Sequence, residues 1–424
     1  MTPLGRDFRL FWAGQTASRL GSAITSVALP LVAVGTLDAS TFDVALLQAA
    51  VWAPWLLIGL PAGVWVDRLP RRPVLLTCDV AGLLLFLSVP VAAALGVLTI
   101  GHLLATALLA GVVSVFFETA YQVYLPSLLD NARLPAANAR LQGTEAAAQV
   151  TGPGAAGLLA QLFGAVAGLL ADALSFLISV ICLLAMHHRE PHRPASTRRS
   201  LRAELGAGLR FLAHDPYLRV LAAYGAVANL ALIGYQAILV VFLVREVGLS
   251  PGAVGVVVAL MSTGGLLGAL IATRVAQRLG TAHGMLAALM TTSPSALLIP
   301  LTGPGLRLAP LVVAGVTIGI GVTVGNVIKG SFRQMYTPRH LLGRVLTAMH
   351  LVNYGTIPLG ALLGGFLGTT LGLRPALWLT TSLLVASSGI LLLGPLRHHR
   401  DLPTSAVAPV GEPSSPSLVD QTAG

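Results

Sequence analysis

Six ionisable side chains lie inside stretches that are otherwise almost wholly apolar: Arg19, Asp79, Glu118, Glu145, Asp172 and Lys329. A charge at the centre of a membrane helix costs on the order of 2.5–3.5 kcal/mol on insertion scales, so each needs a partner, an interface or a task. Arg19 and Glu118 are the deepest and are expected to pair, because either alone would be expensive. A carboxylate at that depth suits the uptake and release of a proton, which makes Glu118 the first coupling candidate. Lys329 is the second. A desolvated lysine can lose its proton and an arginine cannot, and Lys329 is the one lysine among 26 basic residues. Asp79 and Glu145 fall close to basic turns and are expected to reach the interface or brace the arginines there. Asp172 precedes Ser175 by one turn, which fits a structural hydrogen bond as well as a coupling role.

The elements that carry these residues read as membrane helices. The 424 residues are 55% hydrophobic and 10% charged, with a mean hydropathy of +0.81, a composition of all-α polytopic membrane proteins. Twelve apolar spans are predicted near 10–34, 44–66, 73–96, 102–125, 141–162, 165–186, 217–243, 252–273, 283–302, 309–330, 343–367 and 374–395. The formal charge of +10 is confined to alternate loops, so it orients the chain in a bilayer and points away from nucleic acid. Both termini are expected in the cytosol. The domain plan is a six-helix half over 1–187, a basic linker over 188–215, a second six-helix half over 216–396 and an unstructured tail over 397–424. From Leu201 to Phe211 the linker can form a short amphipathic helix at the cytosolic membrane surface, and a solvated connection fits it equally well. Cys78 and Cys182 sit in apolar helices and are read as free thiols. The pairs His187-His188 and His398-His399 sit beside arginines at helix ends, as interface anchors rather than metal ligands.

Glycines recur at four-residue spacing: Gly59/Gly63, Gly264/Gly268, Gly315/Gly319, Gly321/Gly325 and Gly360/Gly364/Gly368. Each series is expected to let two helices touch closely. The halves echo each other. Gln122 and Tyr124-Leu-Pro126 correspond to Gln334 and Tyr336-Thr-Pro338, and Gly152-Pro153 corresponds to Ile357-Pro358. Gly268 with Arg274 and Arg278 echoes the basic turn after the second span, with Ala272 where an aspartate would be expected.

That turn, Gly63-Val-Trp-Val-Asp67-Arg68-Leu-Pro70-Arg71-Arg72, resembles the loop signature of the major facilitator superfamily, with Pro70 where that family usually has glycine. The resemblance implies a conformational latch formed by Gly63, Asp67, Arg68, Arg71 and Arg72. Gly152-Pro153-Gly154-Ala-Ala-Gly157 resembles the same superfamily's antiporter signature, in which proline and glycines bend the fifth helix. Phe8-Arg-Leu-Phe-Trp-Ala-Gly14-Gln15 through Arg19-Leu-Gly21, with Phe116-Phe117-Glu118, resembles bacterial macrolide-efflux and enterobactin-exporter proteins. That group often carries an acid near Ser22, which is absent here, so the first helix has no carboxylate for a proton role.

The resemblance implies a secondary exporter of a small amphipathic drug or natural product, acting as a monomer in the bacterial inner membrane, with the proton gradient as energy source and no cofactor. Gln15, Tyr121, Gln122, Tyr235 and Tyr354 are the substrate-path candidates, with further aromatics such as Trp12, Trp52, Trp55 and Tyr224 able to stack on a ligand. Importers, siderophore exporters and membrane receptors or accessory subunits share such a sequence plan and stand as alternatives. No G-x-x-x-x-G-K-[ST] loop and no H-E-x-x-H motif occurs, so neither an ATP engine nor a zinc protease site is written in the chain.

Overall fold

The structure, a computed structural model, describes residues 5–129, 133–187, 201–338 and 341–403, without the side chains of 60, 64, 67 and 201–204. All regular elements among these residues are helical. In order they are α1 Arg6–Gly35, α2 Thr41–Leu57, α3 Gly59–Asp67, α4 Arg71–Ala94, α5 Ile100–Leu128, α6 Leu134–Phe163 and α7 Val166–Ala185. These are followed by α8 Leu201–His214, α9 Pro216–Arg245, α10 Pro251–Leu279, α11 Thr281–Thr292, α12 Ala309–Tyr336, α13 Leu342–Thr370 and α14 Leu373–Gly389. A 3-10 segment, Ser293–Leu301, extends α11, and its prolines explain the departure from α geometry.

Local chemistry sets the boundaries. At the start of α2, Ser40 accepts from the Asp43 amide while Asp43 accepts from the Ser40 amide, a reciprocal capping box. Asp215 caps α9 through the amides of Tyr217 and Leu218, and its second oxygen accepts from the Tyr336 hydroxyl at 2.6 Å. Gly164, at φ +86°, turns the chain from α6 into α7, at the Gln161–Gly164 break expected from sequence. The second predicted span is not one helix. Pro54 lies in the last turn of α2, and Ile58 leaves helical geometry at φ −121°, ψ −2° before α3 begins.

Ten helical segments among the described residues are long and apolar enough to cross a membrane. The expected second and fifth spans are not among them. The second is cut at Ile58. The fifth, α6, has 30 residues, but Arg140, Glu145 and several glutamines dilute its apolar content.

The helices pack in two groups. In the first, α1 lies against α6 and α7, α4 bridges α7 and α5, and α2 rests on α5. In the second, α9 packs on α13 and α14, and α10 on α12. The groups meet along α6–α10 and α2–α13. Helix α8 forms where the amphipathic pattern predicts it, but it docks on α13, with Gly208 against the Arg344 carbonyl. Residues 188–200 of the linker and 404–424 of the tail lie outside the described residues.

Most glycine series do what their spacing implies. A Cβ added at Gly364 would stand 2.0 Å from the Gly234 carbonyl, one at Gly264 2.1 Å from that of Val316, and one at Gly321 1.8 Å from the Thr292 hydroxyl. Gly268, the echo of the latch glycine, is likewise pressed against Ile320 and Thr323. The pair Gly59 and Gly63 is the exception. Among the described residues neither has a neighbour within 4 Å of a built Cβ, so the close approach expected there is not made among them. Gly364→Ala is therefore expected to cost about 1–3 kcal/mol through overpacking and to lower the thermal midpoint of the detergent-purified protein, whereas Gly63→Ala leaves it unchanged. Equal midpoints for the two variants would contradict this packing.

Candidate functional site

Helix α1 passes between the groups with its polar residues on the inner side. Ser18, Arg19, Ser22 and Thr25 face a cavity of about 710 Å³. Its walls come from both groups: Glu118 of α5, Gln149 of α6 and Asp172 of α7 on one side, Tyr235 and Gln236 of α9, Met261 of α10 and Val322 of α12 on the other.

Arg19 organises the wall of the first group. Its guanidinium pairs with Glu118, as expected, and also with Glu145 at 3.1 Å. It lies 5.7 Å from the centre of the Tyr121 ring, and Gln149 donates to Glu145 at 3.3 Å. One cation between two carboxylates leaves one negative charge in excess, in a setting where water reaches about a quarter to a third of each side chain. Glu145 thus corrects the expectation that it would brace the basic turn. It sits on α6 one turn before the cavity-lining Gln149, and the arginine of α1 claims it.

Asp172 is buried and accepts from Thr25 at 2.6 Å and from Ser175 at 3.1 Å. The Ser175 bond was legible in sequence; the Thr25 bond, which ties α7 to α1, was not. Asp79 also departs from expectation. It lies two turns into α4 but is fully buried instead of reaching out to the interface, and Ser179 of α7 donates to it at 2.5 Å. Lys329 has no carboxylate within salt-bridge distance among the described residues; its ammonium lies 5.0 Å from the Tyr224 ring centre.

The basic turn is only partly described. The Asp67 side chain lies outside the described residues, and Arg68 is exposed. Arg72 donates to the carbonyls of Leu183, Leu184 and Met186 at 2.7–3.3 Å, so it caps the C-terminus of α7 and complements that helix's dipole. Sequence reasoning placed Arg72 in the latch and did not foresee this cap. Among the substrate-path candidates, Tyr235 lines the cavity and so does Trp52. Gln15 is buried outside it, Tyr121 stacks on Phe11, Gln122 is exposed, and Tyr354 packs with Trp52 and Trp55 where α2 meets α13. Trp12 is likewise committed, donating to Thr144 at 2.9 Å.

The seam between the groups is built at the end opposite the basic turn. Arg245 reaches Asp38 and the Ala39 carbonyl, both at 2.8 Å, and Gln161 accepts from the Gly252 amide at 3.3 Å. The glycines of α6 serve this seam. Gly157 faces Gly255 backbone to backbone and Gly154 faces Ala259, whereas Gly152 is pressed against Ala23 of α1, within the first group. Pro153 itself contributes its carbonyl to the Gly255 contact.

A match to the transmembrane secretion effector family runs over residues 1–424. The chain belongs to that family. The multidrug efflux pump Tap of Mycolicibacterium fortuitum is 29% identical over 406 residues, spanning 93% of this chain and 95% of that protein. Among solved structures, the nucleoside transporter NupG superposes with a TM-score of 0.74 at 12% identity, over 93% of this chain and 100% of that one. A bacterial homologue of the iron transporter ferroportin superposes at 0.71 with 18% identity, over 92% and 99%. The fold is that of the major facilitator transporters, and the family places the chain among multi-pass membrane transporters rather than enzymes.

Because Arg19 serves two acids, their removal is not equivalent. Arg19→Gln leaves two carboxylates facing each other and is expected to cost about 2 kcal/mol after allowance for partial exposure. Glu145→Gln costs less, since Glu118 still holds the guanidinium. Thermal midpoints of the two variants in detergent check this order; the reverse order would show that Arg19 is not the hub.

Proposed function

We propose that this protein exports small amphipathic compounds across the bacterial inner membrane in exchange for protons. The observation that carries this reading is the Arg19–Glu118–Glu145 cluster on the wall of a cavity shared by both helix groups. The cluster's excess negative charge is balanced by a single proton, and Glu118 is the carboxylate that faces the cavity. Protonation there weakens the hold on Arg19 and shifts it toward Glu145, which changes the charge met by a bound compound. Similarity to a multidrug efflux pump over nearly the full chain supports the export direction.

The α2–α3 segment and α6 complete twelve crossings in this proposal, with both termini in the cytosol and the basic turn on that side, as the arginine distribution requires. Helices α1–α7 and α9–α14 then form the two halves that rock about the cavity. The seam formed by Asp38, Arg245, Gln161 and Gly252 closes the outer end, so the described state opens toward the cytosol. Ligand binding and protonation select between this state and its opposite.

Two experiments test the proposal. In inside-out vesicles with an imposed pH gradient, a transported amphipathic drug is expected to dissipate the gradient for the wild type and not for Glu118→Gln; equal dissipation by both would remove Glu118 from the mechanism. The outer seam gives the second. A Cβ at Gly252 would lie 3.5 Å from that of Gln161, which is disulfide geometry. Gln161→Cys with Gly252→Cys, in a background lacking Cys78 and Cys182, is expected to lose transport on oxidation and regain it on reduction. Unimpaired transport by the crosslinked protein would refute opening at this end.

A further inference from the structure

The two groups differ in charge where they face each other. The first presents Glu118, Glu145 and Asp172 against the single cation Arg19. The second presents Lys329 and Arg333 of α12, one helical turn apart. Neither has a carboxylate partner among the described residues. Arg333 donates to the Lys329 carbonyl at 3.3 Å and contacts the Met349 sulfur at 4.0 Å, and the Lys329 ammonium faces the Tyr224 ring. The described carboxylates of this group are engaged elsewhere: Asp215 with Tyr336 and the start of α9, Glu246 with Arg374, Asp401 with Thr281. Two like charges one turn apart repel, and an aromatic face attracts a cation without neutralising it.

Helix periodicity fixes where the pair sits. Val322 lines the cavity. Lys329 follows it by seven residues, two turns or about 10 Å further toward the basic end on the same face of α12, and Arg333 follows by eleven, about three turns. Tyr235 lines the cavity from α9, and Tyr224, eleven residues before it, shares its face. The contact between Lys329 and Tyr224 therefore joins two cavity-lining faces just beyond the cavity, toward the basic end.

We propose that Lys329 and Arg333 form an anion-recognition site at this mouth, which takes the carboxylate or phosphate group of a small amphipathic molecule. Arg333 supplies a planar donor pair and Lys329 a point charge, and one bound anion relieves the repulsion between them. The transported class is then anionic or amphoteric, with the anionic group on the second half and any basic group on the acidic wall of the first. This rests on the cavity being the transport site, but its test requires no transport.

Lys329 is the only lysine in the chain, so an amine-directed aldehyde reports on it alone, with the N-terminal amine as internal reference. The full-length protein in uncharged detergent is treated with pyridoxal 5′-phosphate or with pyridoxal, which lacks the phosphate. The imine formed with loss of water is fixed by borohydride and quantified by peptide mass spectrometry. The phosphate compound is expected to label Lys329 at least about tenfold faster, relative to the N-terminus, than pyridoxal does. Arg333→Gln should bring that ratio close to one, and on the wild type dansylglycine, which carries a carboxylate, should protect where neutral dansylamide does not. Equal labelling by the two aldehydes overturns the proposal, and the wild-type protection arm decides the matter even if the variant folds poorly. Protection by phosphatidylglycerol vesicles equal to that by dansylglycine would reassign the site to a lipid headgroup and also overturn it. Failure of drug export in cells would leave these labelling results intact, so the two readings fail separately.

Discussion

Backbone touching backbone is the contact on which this structure depends. Lipid tails offer helices no hydrophobic reward for associating, so association has to come from close packing. Here many of the close approaches are glycine against carbonyl: Gly364 on Gly234, Gly360 on Leu230, Gly264 on Val316, Gly111 on Val51. They hold each group as a unit. The same device joins the groups at Gly157 and Gly255, where the supporting polar contacts are few and partly exposed. Rigid units with a lightly fastened seam are what the proposed rocking of the two halves needs.

Charge is laid out on that scaffold with the same economy. Inside the first group each described buried ion is answered by a neighbouring helix: Arg19 by α5 and α6, Asp79 by α7, Asp172 by α1. The links between α1 and α7, α4 and α7, and α1 and α6 cross the helix pairs of this group that pack most extensively, so they fix rotation as well as depth. The second group is held by glycine and apolar contacts instead, and its two central cations are left for something that is not part of the chain.

Much of this was legible in the residues. Composition fixed the class, the arginines marked the turns, and the Arg19–Glu118 pair followed from the cost of leaving either alone. Loop chemistry gave the Gly164 turn. What escaped were contacts that depend on helix rotation. Spacing alone could not tell that Gly63 faces open space while Gly268, its counterpart in the echo of the turn, is tightly packed. Nor could depth along α6 reveal that Glu145 turns toward α1, or depth along α4 that Asp79 meets Ser179. Hydroxyl partners such as Thr25 carry no sequence signal, because serine and threonine inside membrane helices most often bond their own preceding turn, as Thr16, Thr119 and Thr151 do here. The break at Ile58 had one visible cause, Pro54, but a proline is as often absorbed as a kink, as Pro90 is in α4.

That break divides the second crossing into two levers. The longer piece, α2, touches both groups, with Val51 set against Gly111 of α5 and Thr41 and Ala45 against Gly368 and Gly365 of α13. The shorter piece, α3, rests on α5 of the first group and leads into the arginine turn. A continuous helix would transmit any tilt of one group to the other along its whole length. Two pieces joined at Ile58 instead form a joint, which in the proposed rocking would let the arginine turn tilt with α5 without carrying the α2–α13 contact along.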